Sequence, residues 1–296
     1  MKRTWYGILT ACAVSACSGS NPFLEETDPE PGGPGTPGAP IVESVAGDLD
    51  AATFVPDPND PNNSVLVVTG VAFNGTPLPV GYDRNAALDS PGGQYQAFTR
   101  QPDALNTHST AYARDVNGAQ GVLVVTGGLN GYFNGGASYS RSGSYDRPGA
   151  NDQNADVRYD GEYVGLMNYP DNGNALLPVP PGTAPALTPR QAARVHGQAR
   201  INADFSTNRV KGTVYDRTYV AAGMALPDLE IAPTDIADDG TFAGDITVSH
   251  QSKGEYGGTF GGVDSNAVAG GLYVKDHVDG LDDEEEYGIF VLERSN

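Results

Sequence analysis

The chain has 296 residues, with 39 Gly, 22 Pro and 15 Tyr, a composition that favours turns and short strands over long helices. Its 37 acidic residues against 17 basic ones give a net charge of −20, which excludes a nucleic-acid surface and a polybasic membrane patch. No run reaches the ~18 apolar residues of a transmembrane helix. The two cysteines, Cys12 and Cys17, leave the body of the chain without a disulfide framework or a cysteine zinc site.

The N-terminus reads as an export signal over residues 1–16. Lys2 and Arg3 precede a short apolar stretch that ends in small residues. Val14-Ser15-Ala16-Cys17 resembles a bacterial lipobox, and the resemblance implies that Cys17 is the lipid-attachment residue, acylated and N-terminal after cleavage. Leu9-Thr10-Ala11-Cys12 fits the same pattern but leaves a very short signal. Ser18 after the cysteine implies the outer membrane. Acyl chains anchor at ~0.8 kcal/mol per buried CH₂, so no spanning helix is needed.

Residues 17–40 form an expected disordered tether, with five Pro and four Gly between Pro29 and Pro40. Gly33-x-Gly35-x-x-Gly38 matches a dinucleotide fingerprint in letters only, since neither strand nor helix flanks it. Residues 41–150 read as an irregular β-rich region, with strand candidates at 65–68 and 122–125. The tract holding Tyr132, Phe133, Tyr139 and Tyr145 is either a packed β-ribbon or an adaptable contact surface.

Residues 151–296 allow a strand count. Strands are expected at 157–167, 194–205, 210–219, 228–236, 241–249, 254–261, 267–275 and 287–294, joined by turns at Thr207-Asn208 and Asp238-Asp239-Gly240. Eight antiparallel strands with short hairpins predict a closed barrel, because closure removes unpaired edges. The faces Thr241, Ala243, Asp245, Thr247 and Lys211, Thr213, Tyr215, Arg217 are polar, which predicts a soluble barrel with these faces outward and an apolar inside.

Three motifs now stand together: Asp239-Gly240-Thr241-Phe242-Ala243-Gly244, then Gly254 to Gly262 (GEYGGTFGG), then Asn266-Ala267-Val268-Ala269-Gly270-Gly271. With Ala203-Asp204-Phe205 and Val210-x-Gly212, they resemble the barrel signature of the transferrin-binding protein B family of surface lipoproteins, over roughly residues 156–294. The resemblance implies an all-β lobe, with a β-rich handle at 41–150 before an eight-stranded barrel at 151–296. It also implies a lipid-anchored, surface-exposed position and capture of iron carriers, haem or other extracellular partners. Two departures stand out. The chain has room for one lobe where the transferrin receptors have two, and Phe260-Gly261-Gly262 lacks the usual aromatic before the second Gly.

No nucleophile–base motif or metalloprotease helix is present, so no enzyme is expected. Four histidines occur, of which His196 and His250 are candidates for a haem or metal ligand. The segment from Asp276 to Glu286 (DHVDGLDDEEE) is expected as an exposed acidic loop. Asp276, Asp279, Asp282 and Asp283 are its candidate Ca²⁺ ligands, although the spacing is not that of an EF-hand. The alternative to a binding module is a structural or adhesive envelope lipoprotein with no small ligand.

Overall fold

The computed structural model describes residues 41–70, 78–129, 133–149, 156–171 and 174–295. Cys17, the signal, the tether and Tyr132 lie outside the described residues. A one-turn helix, α1 (Glu43–Ala46), leads into an antiparallel meander. Its strands are β1 (Ala51–Val55), β2 (Val65–Thr69), β3 (Val80–Arg84), β4 (Gln96–Arg100), β5 (Ser109–Val116), β6 (Ala119–Thr126) and β7 (Gly135–Arg141). They pair in sequence order, as short loops dictate. Asn117 and Gly118 turn β5 into β6 with φ of 51° and 80°, the two-residue turn that Asn-Gly favours. The run Val122-Leu123-Val124-Val125 is apolar without alternation because β6 is buried on both faces.

The second sheet contains β8 (Asp156–Pro170), β9 (Ala192–Asp204), β10 (Arg209–Tyr219), β11 (Met224–Ala225), β12 (Leu229–Asp235), β13 (Thr241–Val248), β14 (Gln251–Gly261), β15 (Ala267–Lys275) and β16 (Glu285–Arg294). The two-residue β11 only pairs with the end of β10. The other eight close into an antiparallel barrel, with β16 pairing β8, β8 pairing β9, and β10 bridging β9 and β12. The expected fold class is the one found, and all eight expected strands are present. The seam between β12 and β13 is thin, with only Glu230↔Thr247 and Ile231↔Ile246 in register.

Inside the barrel, glycines alternate with rings across the strands. Gly258 faces Phe242, Gly244 faces Tyr256, and Gly270 faces Phe290. Each ring lies over its glycine, so an added Cβ at Gly258 or Gly270 would collide with the ring. Phe260 is the hub, with ring centroids 5.0 Å from Phe205, 5.1 Å from Phe242 and 5.6 Å from Tyr159.

The outside of the barrel is not uniformly wet. Tyr287, Ile289 and Val291 of β16, Ala267 and Ala269 of β15, and Val164 and Leu166 of β8 face outward. They pack with Tyr95, Tyr112, Leu123, Val125 and Tyr139 of the first sheet. On the far face of that sheet, Phe54, Leu66, Val68, Phe98, Val122 and Val124 form a third core. Among the described aromatic-tract residues, the rings pack inward: Phe133 stacks on Tyr287 and Tyr139 is buried.

Polar contacts fix the sheet–barrel junction. The buried Glu162 carboxylate accepts from Ser90 Oγ at 2.7 Å, Gly92 N at 2.6 Å and Gln94 N at 3.1 Å. Tyr95 Oη donates to Glu162 O at 3.0 Å and accepts from Val291 N at 2.7 Å.

Candidate functional site

One end of the barrel interior is charged. Its anchor is Arg217, which the alternation of β10 places outside with Lys211, Thr213 and Tyr215. The structure corrects this. Tyr215 pairs with Gln198 and Thr218 with His196, so two residues of β10 oppose the single Gly197. Asp216 takes a left-handed φ of 50° at this bulge, and the extra residue turns Arg217 inward. Its side chain is fully buried, as is that of Glu286, and Arg217 Nη2 donates to Glu286 Oε2 at 2.5 Å. Tyr163 Oη donates to the other oxygen, Glu286 Oε1, at 2.6 Å.

The loop between β15 and β16 completes this cluster. Its run of acids reads as an exposed loop, but His277, Val278 and Glu284 turn inward and are buried. The backbone N–H groups of His277 and Val278 both donate to Glu284 Oε1, the second at 2.6 Å. His277 Nε2 lies 3.1 Å from Arg217 Nη2 and 3.4 Å from Glu286 Oε2, and its Nδ1 lies 3.4 Å from Glu284 Oε1. Burial alone disfavours an ionised Glu286. Arg217, His277 and Tyr163 outweigh it and hold the carboxyl down at about 2. Burial, then the Glu286 charge, pushes Tyr163 well above its ordinary value.

The four candidate Ca²⁺ ligands lie on the outer rim of the same loop. Asp276, Asp279, Asp282 and Asp283 are all exposed. The fold uses backbone carbonyls from three of them: Lys253 Nζ donates to Asp276 O at 2.5 Å, Tyr169 Oη to Asp282 O at 2.9 Å, and Asn168 Nδ2 to Asp283 O at 2.8 Å. Among the described residues, no three His, Cys, Asp or Glu side chains are placed to hold a metal ion. His250 is exposed in the β13–β14 turn, 3.7 Å from Glu230 Oε2. His196 is partly buried on β9, edge-on to the Tyr112 ring with centroids 6.3 Å apart.

An open groove of about 500 Å³ crosses the outside of β13–β15 next to α1. Ser44, Asp245, Lys253, Glu255, Tyr273, Lys275 and Asp276 are among the residues that line it. Lys253 and Lys275 are two of only four lysines in the whole chain, so the groove concentrates rare positive charge beside carboxylates. Ser44 Oγ donates to Glu255 Oε2 at 2.5 Å and ties α1 to the groove floor. Among the described functional candidates read from sequence, only Asp276 borders it. Lys253, Tyr273 and Lys275 belong to no motif that could mark them, and Glu255 stands in the Gly254–Gly262 motif as a strand residue only; the pairing of β14 with β15 brings the four together, and β13 and α1 complete the groove.

No family model matches the chain, and no curated protein matches it significantly. Among solved structures, it is similar to a doubly substituted transferrin-binding protein B of Haemophilus parasuis Hp5, at 9% identity over 82% of this chain and 53% of that one, with a TM-score of 0.39. It is also similar to isotype 1 transferrin-binding protein B of serogroup B Neisseria meningitidis, at 13% identity over 84% and 53%, with a TM-score of 0.37. A third is the N-lobe domain of lactoferrin-binding protein B of Moraxella bovis, at 15% identity over 62% and 79%, with a TM-score of 0.33. The chain spans about half the length of the two transferrin-binding proteins. These are likenesses of fold, and no residue role passes through them.

Proposed function

We propose that this chain is a binding module tethered to the outer membrane by a lipid on Cys17, and that it takes its partner on the outside of the fold. The observation that carries this reading is the occupied barrel interior. Aromatic side chains around Phe260 fill one part, and the Arg217–Glu286 cluster fills the other. An eight-stranded barrel has room for its own side chains or for one small ligand, and here the side chains take it.

Recognition then falls to the exterior groove and the loops around it. Tyr273 lines the groove between lysines and carboxylates, a mixed-sign polar surface suited to an extracellular protein. Capture of an iron carrier is the sharper form of the reading. Haem capture and Ca²⁺ binding along the rim of Asp276, Asp279, Asp282 and Asp283 are its small-ligand forms. The role is one of binding without catalysis.

The full chain, expressed in a Gram-negative host, tests both halves. An alkyne fatty acid should label the wild type and not Cys17→Ala. Immobilised protein should then bind one of transferrin, lactoferrin, haemin or Ca²⁺ saturably, and Lys275→Glu should weaken a protein partner about tenfold or more. A folded, labelled protein that binds none of the four would overturn capture and favour a structural envelope role.

A further inference from the structure

A second polar cluster lies where the loop between β8 and β9 returns against the first sheet. Gly127 N donates to His108 O at 2.9 Å, and Arg190 N donates to Gly128 O at 3.2 Å. The approach is so close that a Cβ on Gly127 would collide with the Arg190 carbonyl. His108 itself is fully buried, and neither of its ring nitrogens meets a hydrogen-bond partner. Two more buried polar atoms share this condition nearby in the chain, Thr110 Oγ1 on β5 and Gln191 Nε2 beside Arg190.

Across the junction, His196 on β9 presents Nε2 to Tyr112 Oη at 3.4 Å. The charged groups around the two imidazoles are few. Asp171 follows β8 and binds Arg194 of β9 at 2.5 Å, with side-chain exposures of 0% and 9%. Glu162 lies further along β8, already held by Ser90, Gly92 and Gln94. Asp89 acts on Tyr112 from the first sheet, and Arg190 is exposed. For His108 the one opposing carboxylate, Asp171, therefore already has its cation. A proton added to His108 would create a buried charge without a free counter-charge, which costs several kcal/mol at full burial; at the partly buried His196 the Glu162 charge offsets part of that cost.

We propose that His108 and His196 form an acid-sensitive clasp between the first sheet and the barrel, closed while both imidazoles are neutral and loosened when either takes up a proton.

The direction follows from the surroundings. Burial pulls His108 down to about 4, with Asp171 alone opposing. Burial, then Arg194, pulls His196 down to about 4 against Glu162 and Asp171. A released histidine titrates near 6.5, so between these values the open form holds protons that the closed form refuses. The closed junction is fully stable above about pH 6.5 and loses stability as pH falls towards 4. For His108 the bias towards opening is about 30-fold at pH 5 and about 300-fold well below pH 4. His196 is partly exposed and contributes less.

Hydrogen exchange on the full chain at pH 7.5 and pH 5, corrected for the intrinsic chemical rate, tests the clasp. Most carboxylates stay ionised at pH 5, which isolates the histidines. The expected result is a tenfold or greater loss of protection at the Gly127 and Arg190 amides, with β14–β15 unchanged as the reference. His108→Phe should abolish most of the loss, and His196→Gln should reduce it. Equal loss in His108→Phe, equal loss in β14–β15, or no loss in the wild type would each overturn the proposal. Should His108→Phe fail to fold, an NMR titration of the wild-type histidines decides instead. Buried imidazoles that stay neutral at pH 5 support the clasp, and titration near 6.5 overturns it.

Discussion

The charged end of the barrel and the junction between sheet and barrel solve the same problem in opposite ways. Both bury histidine among carboxylates and arginine. In the barrel, Arg217 pairs directly with Glu286, Tyr163 and His277 join the pair, and two backbone N–H groups hold Glu284, although Arg217 Nε, His277 Nδ1 and Glu284 Oε2 meet no hydrogen-bond partner. At the junction, Asp171 and Arg194 satisfy each other, and His108 is left with no partner on either nitrogen. The difference teaches that burial alone does not fix a group's behaviour. Glu286 stays ionised down to about 2 because Arg217, His277 and Tyr163 together outweigh desolvation, whereas nothing outweighs it for His108. The sign of the pH response follows. Stability from Glu286 is present above the ordinary carboxylate range and is lost as pH falls through about 2. Stability at the junction is lost earlier, below about 6.5.

The comparison breaks most visibly at Arg217. Arg217→Met leaves the Glu286 charge buried and should cost ~3–5 kcal/mol in urea unfolding. Adding Glu286→Leu should recover most of that loss, and a double variant no better than the single would refute charge pairing as the cause. Next comes the ring packing beside the network. Gly258→Ala forces a methyl against the Phe242 ring and should cost ~1–3 kcal/mol, read as a lower thermal midpoint. At the junction, Glu162→Gln puts an amide where three donors converge and should cost ~1–2 kcal/mol. A cost above that of Arg217→Met would invert the ranking of the two regions. The smallest effect belongs to the exposed pair Arg209–Asp235, 2.9 Å apart with side chains 51% and 79% exposed. Arg209→Ala should change stability by ~0–1 kcal/mol, and a larger value would point to packing by the arginine stem.

Much of the barrel was legible because strand periodicity and turn chemistry are local. Asp238-Asp239-Gly240 turns where expected, with Gly240 at a φ of 79°. Phe242, Ile246, Tyr256, Phe260, Val268 and Leu272 face inward as their spacing implies. Arg217 escaped because a bulge shifts register, and a bulge at Asp216 leaves no clear mark on an alternating pattern. Glu284 and Glu286 escaped because they belong to a run of acids that reads as solvated, and only their partners across the barrel distinguish them from Asp282 and Asp283. The outward apolar positions Tyr287, Ile289 and Val291 were visible as letters, but the sheet that covers them was not.

The sequence by itself determined the eight barrel strands, their turns, the closed barrel and its inward register up to the β10 bulge, since each follows from neighbours a few residues apart; of the first sheet it marked only the runs 65–68 and 122–125. Tertiary structure alone decided which charges are buried together and which barrel face the first sheet covers. It also decided that lysines 22 residues apart line one groove with a serine from α1. The physical reason is range. Propensity and alternation act along the chain, whereas desolvation and charge pairing depend on whatever the fold brings within a few ångströms.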